Sequence, residues 1–328
     1  MASAEHGRGV HTQRGSRRHT TMTFEGVRPV LHMPFGRQSG EPLVETELVA
    51  LVETMIGHGV DGLVVLGLAS EAWAITETER DRIIDSVVGA CAGRIPLVVG
   101  LEGSTEVACD RARRAAARGA AGLMVLPPSQ ATSTGAIVTH FAAVADAGGL
   151  PVLMQDTPRV TGVVLDVPTI VAARRAHSLV RALKVEVPGA GEKVSAVHDA
   201  GIEVVAGWGG LAYLEQVERG AVGCMPGCDL GPALLAIDRS VRRGDHQQAL
   251  RSYRDILPLL AFETQSLELL LLSAKRHLYR SGIFTTETMR APARQLDTRE
   301  SATLDDLLDE LAKLGVPGFG GSDTVVAS

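Results

Sequence analysis

The stretch VRALKVE, residues 180–186, is a short apolar run interrupted by Arg181 and closed by Lys184 and Glu186. An apolar run of this length without polar alternation is what a parallel strand covered on both faces requires. Seven further runs of the same kind flank it. Before it come 28–35 (RPVLHMPF), 61–67 (DGLVVLG), 96–100 (PLVVG), 121–126 (AGLMVL) and 151–155 (PVLMQ); after it come 203–207 (EVVAG) and 221–226 (AVGCMP). Amphipathic segments separate them at 43–58, 76–92, 104–118, 133–147, 166–177, 190–200 and 210–219, and another follows at 230–243. Thr76 with Glu79 reads as a capping box, and Ser104 or Thr105 ahead of Glu106 reads as a helix start.

Eight strand-then-helix units in about 220 residues predict an α/β fold of the (β/α)8 TIM-barrel type. The competing doubly wound open sheet prefers a glycine-rich phosphate turn after its first strand, and HMPFGRQSGEP (32–42) carries no GxGxxG. Beyond residue 245 the pattern is helical only, at 246–263, 265–281 and 301–314. The expected organisation is a disordered leader over 1–22, the barrel over 23–244, an appended helical segment over 245–315 and a flexible tail over 316–328.

The chain has 328 residues, 45% of them hydrophobic and 21% charged, as in a globular enzyme. A net charge of −6 offers no basic face to neutralise phosphates, which argues against a nucleic-acid partner and favours small molecules. The polar, Arg- and His-bearing first 21 residues lack the apolar stretch of a secretory signal, and no run reaches the length of a membrane span. A reducing cytoplasm is therefore expected. Four cysteines at 91, 109, 224 and 228 lack the second Cys/His pair that a metal site needs and read as buried free thiols.

In such a barrel the reacting groups come from the C-terminal ends of strands and the loops after them. Lys184 occupies one of those ends. The chain has only three other lysines, Lys193, Lys275 and Lys313, and all three read as lying in solvent-compatible helices. Burying an ammonium is costly unless it is paired or neutral, and a neutral amine can attack a ketone to give an iminium. The iminium draws electrons from the neighbouring carbon, so bonds there are made or broken through an enamine. Glu186 lies two residues on, which points both side chains to the same face. It reads equally as a general acid/base and as the counter-charge that keeps Lys184 ionised. Asp156 reads as a turn residue or a substrate contact, and His32 as a core histidine or a catalyst.

Five blocks in order resemble the dihydrodipicolinate synthase and N-acetylneuraminate lyase superfamily of pyruvate-handling aldolases, over about residues 24–313. MPF (33–35) is similar to its Thr-Pro-Phe, and GLVVLGLASEAWAITETER (62–80) to its second-strand block. THF (139–141) is similar to its His-Phe, VRALKVE (180–186) to the strand of its Schiff-base lysine, and RAPAR (290–294) to its Arg-x-Pro signature. The resemblance implies a class I lyase in which Lys184 forms a Schiff base with pyruvate or another 2-oxo acid. The reaction would be aldol cleavage, condensation or a linked dehydration, with an aldehyde as the second substrate half. It implies no metal or organic cofactor, and a homodimer or homotetramer.

This chain departs from the family pattern in the groups around that lysine. The hydroxyl pair that holds the ketoacid carboxylate is replaced by Leu68 and Ala69, with Ser70 in place of glycine, leaving the amides of Ala69 and Ser70 as anion donors. The proton-relaying tyrosine is matched by Ser129 and the nearby arginine of the synthase branch by Ala131. Gln155-Asp156-Thr157-Pro158 stands where Tyr-Asn-x-Pro is common. Glu186, Glu71 and Ser129 are then the candidate proton carriers. Gln155, Asp156, Gly207 and Trp208 are expected to contact the aldehyde half. The alternative is a catalytically altered barrel that binds or regulates, and a metal-dependent aldolase would need His and carboxylate clusters that His32 alone does not supply.

Overall fold

The computed structural model describes residues 22–37 and 41–320; the expected leader up to residue 21 and the tail from residue 321 lie outside them. Eight strands run in chain order: β1 (Gly26–Val27), β2 (Leu63–Val65), β3 (Leu97–Leu101), β4 (Gly122–Val125), β5 (Val152–Asp156), β6 (Val180–Val185), β7 (Glu203–Ala206) and β8 (Ala221–Cys224). All pairings between them are parallel, in the spatial order β1-β8-β7-β6-β5-β4-β3-β2. The chain just after β1 joins the two ends of this curled sheet. Val30 bridges Val64 on one side and Gly227 on the other, and Leu31 N–H donates to Val64 O at 2.8 Å.

The first strand differs from the expected run 28–35. The ladder lies ahead of that run, at Gly26–Val27, and within 28–35, where Pro29 and Pro34 have no N–H to give, only isolated bridges at Val30 and Phe35 remain.

The helices between strands are α1 (Glu45–His58), α2 (Glu77–Cys91), α3 (Thr105–Ala117), α4 (Thr134–Gly148), the single turn α5 (Pro158–Thr161), α6 (Val167–Ala176), α7 (Gly191–Asp199) and α8 (Tyr213–Glu218). The Thr76–Glu79 capping box opens α2 with both reciprocal bonds made. After β8 come α9 (Gly231–Arg242), α10 (His246–Glu263), α11 (Leu267–Arg280) and α12 (Thr298–Lys313). The last begins three residues before the expected 301 because Asp297 accepts from Arg299 N–H and Glu300 N–H in a capping box of its own.

Two buried layers follow from the alternation of strand side chains. Outward-facing residues such as Val65, Val125, Met154, Leu183 and Val204 fill the space under the helices. Inward-facing Val64, Val98, Met124, Leu153, Ala182 and Val205 fill the ring itself, with Phe24 and Met22 below them. Met22, the last residue of the expected leader, packs with the folded body. Residues 316–320, read as the start of a flexible tail, bury Val316 and Phe319, and the Phe319 ring lies 4.3 Å from the His277 ring.

The C-terminal segment is fastened to the ring by charge. Phe35 is flanked by two cations, Lys275 at 4.5 Å and Arg290 at 4.3 Å from its ring centre. Arg290 also donates to Glu79 at 2.5 Å and 2.9 Å, which holds the Glu79 carboxyl down at about 2.

Candidate active site

The inward face of β6 continues Ala182, Lys184, Glu186, so the two polar side chains rise from the apolar filling at the C-terminal end of the ring. Lys184 Nζ lies 3.0 Å from Glu186 Oε1, with side-chain exposures of 4% and 6%. On the neighbouring strand Gln155 pairs in register with Lys184, and its Nε2 donates to Glu186 Oε2 at 2.7 Å. The third donor is Trp208 N–H, to Oε1 at 3.2 Å. Burial pushes the Glu186 carboxyl up, but Lys184, Gln155 and the Trp208 amide outweigh it and leave the group below its ordinary range.

Gly207 belongs to this cluster through the absence of a side chain. A Cβ there would overlap Glu186 Cγ and stand 2.8 Å from Glu186 Oε1 and 2.9 Å from Lys184 Cε. Trp208 follows in the left-handed region at φ 49, which few bulky residues adopt. Its indole Nε1–H is fixed by Thr264 O at 3.0 Å.

Two hollows share Glu186 and Trp208 in their walls. The inner one, 30 Å³, is lined by Lys184, Ala69, Leu68 and Gly227 and roofed by Leu267 and Leu270 of α11. The outer one, 280 Å³, is lined by Gly207, Arg159, Pro188, Leu211 and Gln216.

The other residues expected at the site have different neighbours. Ser70 donates its amide to Gly67 O at 3.0 Å and its hydroxyl to Leu31 O at 2.6 Å, so neither is free to hold a carboxylate; Ala69 does line the inner hollow. Glu71 is wholly buried and ion-paired with Lys275, and it accepts from Arg290 N–H at 3.1 Å. Asp156 points outward because it follows the inward Gln155. It pairs with Lys193 of α7 at 2.6 Å and accepts from Leu165 N–H. Ser129 is solvent-exposed and lines neither hollow. His32 is buried with Nδ1 3.0 Å from Cys228 Sγ, and burial lowers it to about 3. All four cysteines are free and buried, and among the described residues no three His, Cys, Asp or Glu side chains converge as metal donors.

Two groups escaped the sequence reading. Lys275 is 1% exposed, contrary to the expectation of a solvent-compatible lysine. The signal lay in the surrounding LELLLLSAKRHL (267–278), where Leu271 and Leu278 share its helical face. Asp229 and Glu263 form a buried, hydrogen-bonded carboxyl pair behind Gly227 and Gly209; burial raises Asp229 to about 6 and Glu263 well above its usual value.

The dihydrodipicolinate synthetase family model matches residues 23–311. An L-2-keto-3-deoxyarabonate dehydratase of Azospirillum brasilense is 32% identical over 291 residues, covering 85% of this chain and 93% of the relative. A 4-hydroxy-tetrahydrodipicolinate synthase of Acidothermus cellulolyticus is 32% identical over 235 residues, 66% of this chain and 71% of the relative. Among solved structures, a putative dihydrodipicolinate synthetase from Pseudomonas aeruginosa superposes with a TM-score of 0.81 at 26% identity, over 88% of this chain and all of that one. The dihydrodipicolinate synthase of Aquifex aeolicus shares the fold with a TM-score of 0.81 at 22% identity, over 90% and 99% of the two chains.

Proposed function

The chain belongs to the dihydrodipicolinate synthetase family and is a lyase of its class I type, and from that premise we propose that it dehydrates a 3-deoxy-2-oxo sugar acid on Lys184. The observation that carries this reading is the Glu186 carboxylate held 3.0 Å from Lys184 Nζ by Gln155 and the Trp208 amide. The scaffold would be a closed (β/α)8 barrel, with the ring completed through Val30.

The Lys184 amine adds to the C2 carbonyl and water leaves, giving an iminium. C3 is two bonds from that nitrogen, so a carboxylate oxygen held this close to Nζ is within reach of its proton. Glu186 takes the proton and the enamine forms. The enamine pushes out the C4 hydroxyl, which leaves with that proton as water. A second water then hydrolyses the iminium and returns Lys184. A single base beside the nitrogen serves every proton step, so the exposed position of Ser129, where the family tyrosine is matched, does not interrupt this route. The relative from Azospirillum brasilense, named as a dehydratase, supports the same choice.

Incubation with pyruvate and borohydride should add the reduced ketoacid mass to Lys184, and 3-deoxy-2-oxo sugar acids should lose water. If no 2-oxo acid in a panel is trapped, the reading fails and a binding role takes its place. No helix among the described residues is long and apolar enough to cross a membrane. A cytoplasmic homodimer or homotetramer working on small molecules, without nucleic acid or added cofactor, completes the proposal; sedimentation velocity reads the assembly.

A further inference from the structure

The outer hollow holds two polar groups that the covalent chemistry leaves unused. Arg159, on the single turn α5 after β5, reaches back over the Trp208 indole with its guanidinium carbon 5.1 Å from the ring centre. No carboxylate among the described residues is within ion-pair distance of it, so its guanidinium is open to an outside anion. Gln216, on α8, lines the same hollow at 4% exposure, and its side-chain Oε1 is buried without a hydrogen-bond partner. A buried amide end left unpaired is costly, and since the oxygen and nitrogen ends of a glutamine interchange by a flip, it can present N–H as readily as C=O.

We propose that Arg159 and Gln216 receive a second acidic group of the substrate, so that the acid dehydrated on Lys184 is a dicarboxylate with one carboxyl beside the keto carbon and another at the far end. The inference rests on the Schiff-base reading of Lys184. The first carboxyl is bonded to C2 and so stays with the inner hollow, where Lys184 and Ala69 are found. Arg159 lines only the outer hollow, whose wall shares Glu186 and Trp208 with the inner one. A chain attached to Lys184 that runs outward past Glu186 would end at a planar guanidinium braced on an aromatic face. That geometry favours bidentate capture of a carboxylate over a neutral hydroxymethyl group.

Substrate-length probes test this without knowledge of the natural substrate. The concentration that gives half-maximal borohydride trapping on Lys184 is measured by intact mass for 2-oxoglutarate and 2-oxoadipate, for 2-oxopentanoate and 2-oxohexanoate, and for pyruvate as the internal reference. In the unmodified protein at least one diacid should half-saturate at a concentration roughly 10- to 100-fold lower than its monoacid counterpart. Arg159→Met should remove most of that advantage when each value is expressed relative to pyruvate in the same variant, and Gln216→Leu should reduce it. Equal trapping of diacids and monoacids, or a preference that survives Arg159→Met, overturns the proposal. Trapping of no acid, pyruvate included, instead removes the Schiff-base reading on which it rests.

Discussion

Glu186 occupies the volume that a side chain at position 207 would need, so Gly207 is glycine because the Lys184–Glu186 pair leaves no room for anything else. Gly207→Ala should cost about 1–3 kcal/mol of stability through overpacking. It should also slow pyruvate trapping on Lys184 by more than that loss explains, since the methyl displaces both Glu186 and Lys184 Cε. Urea denaturation with trapping rates checks this, and a trapping rate equal to that of the parent protein would count against the site geometry.

Glu186→Gln keeps the size and hydrogen-bonding surface of the side chain but removes the base. Dehydration should fall by about 10²- to 10⁴-fold while the reduced pyruvate adduct still forms on Lys184. The pH profile carries a second signature. The folded Glu186 carboxyl lies below its ordinary 4.5, so its ionised form, and the stability linked to it, persists above that value and is lost as pH falls through the lower folded value. The acid limb of kcat/KM should therefore lie below pH 4.5 and disappear in the variant.

The buried pair of Glu71 and Lys275 is a structural clasp and not a proton carrier. Lys275→Met strands a carboxylate in the interior and should destabilise by about 3–5 kcal/mol, whereas adding Glu71→Gln should recover much of the loss. A double-mutant cycle by chemical denaturation measures this; a double variant as unstable as Lys275→Met alone would show that the two residues act separately.

Asp229 and Glu263 predict a fall in stability toward alkaline pH. Burial raises the folded Asp229 value from 3.8 to about 6, so the folded state holds the proton that the unfolded chain has already released. The contribution is complete below about pH 4 and is lost as pH rises through about 6, and Glu263, raised further, extends the decline. Asp229→Asn should flatten the slope of unfolding free energy between pH 5 and 8. An unchanged slope would show that the pair does not titrate in this window.

The eight strands and their helices were legible because an apolar run covered on both faces can form only a few structures. Lys184, Glu186 and Gln155 were legible by the same logic, since the period of two sends alternate residues into the ring. That period also places Asp156 outward, yet its partner Lys193 sits on a helix the strand pattern does not specify. Glu71 met Lys275, and Ser70 met Leu31 O, through contacts between elements far apart in the chain; no local pattern encodes those. Ser129 was assigned by matching a family position, and its exposure is set by the path of the loop after β4.

The lysine pairings also determine how the molecule looks to a chemist. All four lysines have a carboxylate nearby, but Lys184, Lys193 and Lys275 are held by theirs at low exposure, whereas Lys313, 73% exposed and 3.9 Å from Glu310, is the one open to solvent. Positive charge at the surface is carried almost entirely by arginine. Activated esters and amine crosslinkers therefore have almost nothing to label apart from Lys313 and the α-amino group. Lysine-based surface mapping should be nearly blank for this protein, and a substrate-dependent amine adduct will stand out against an unusually clean background.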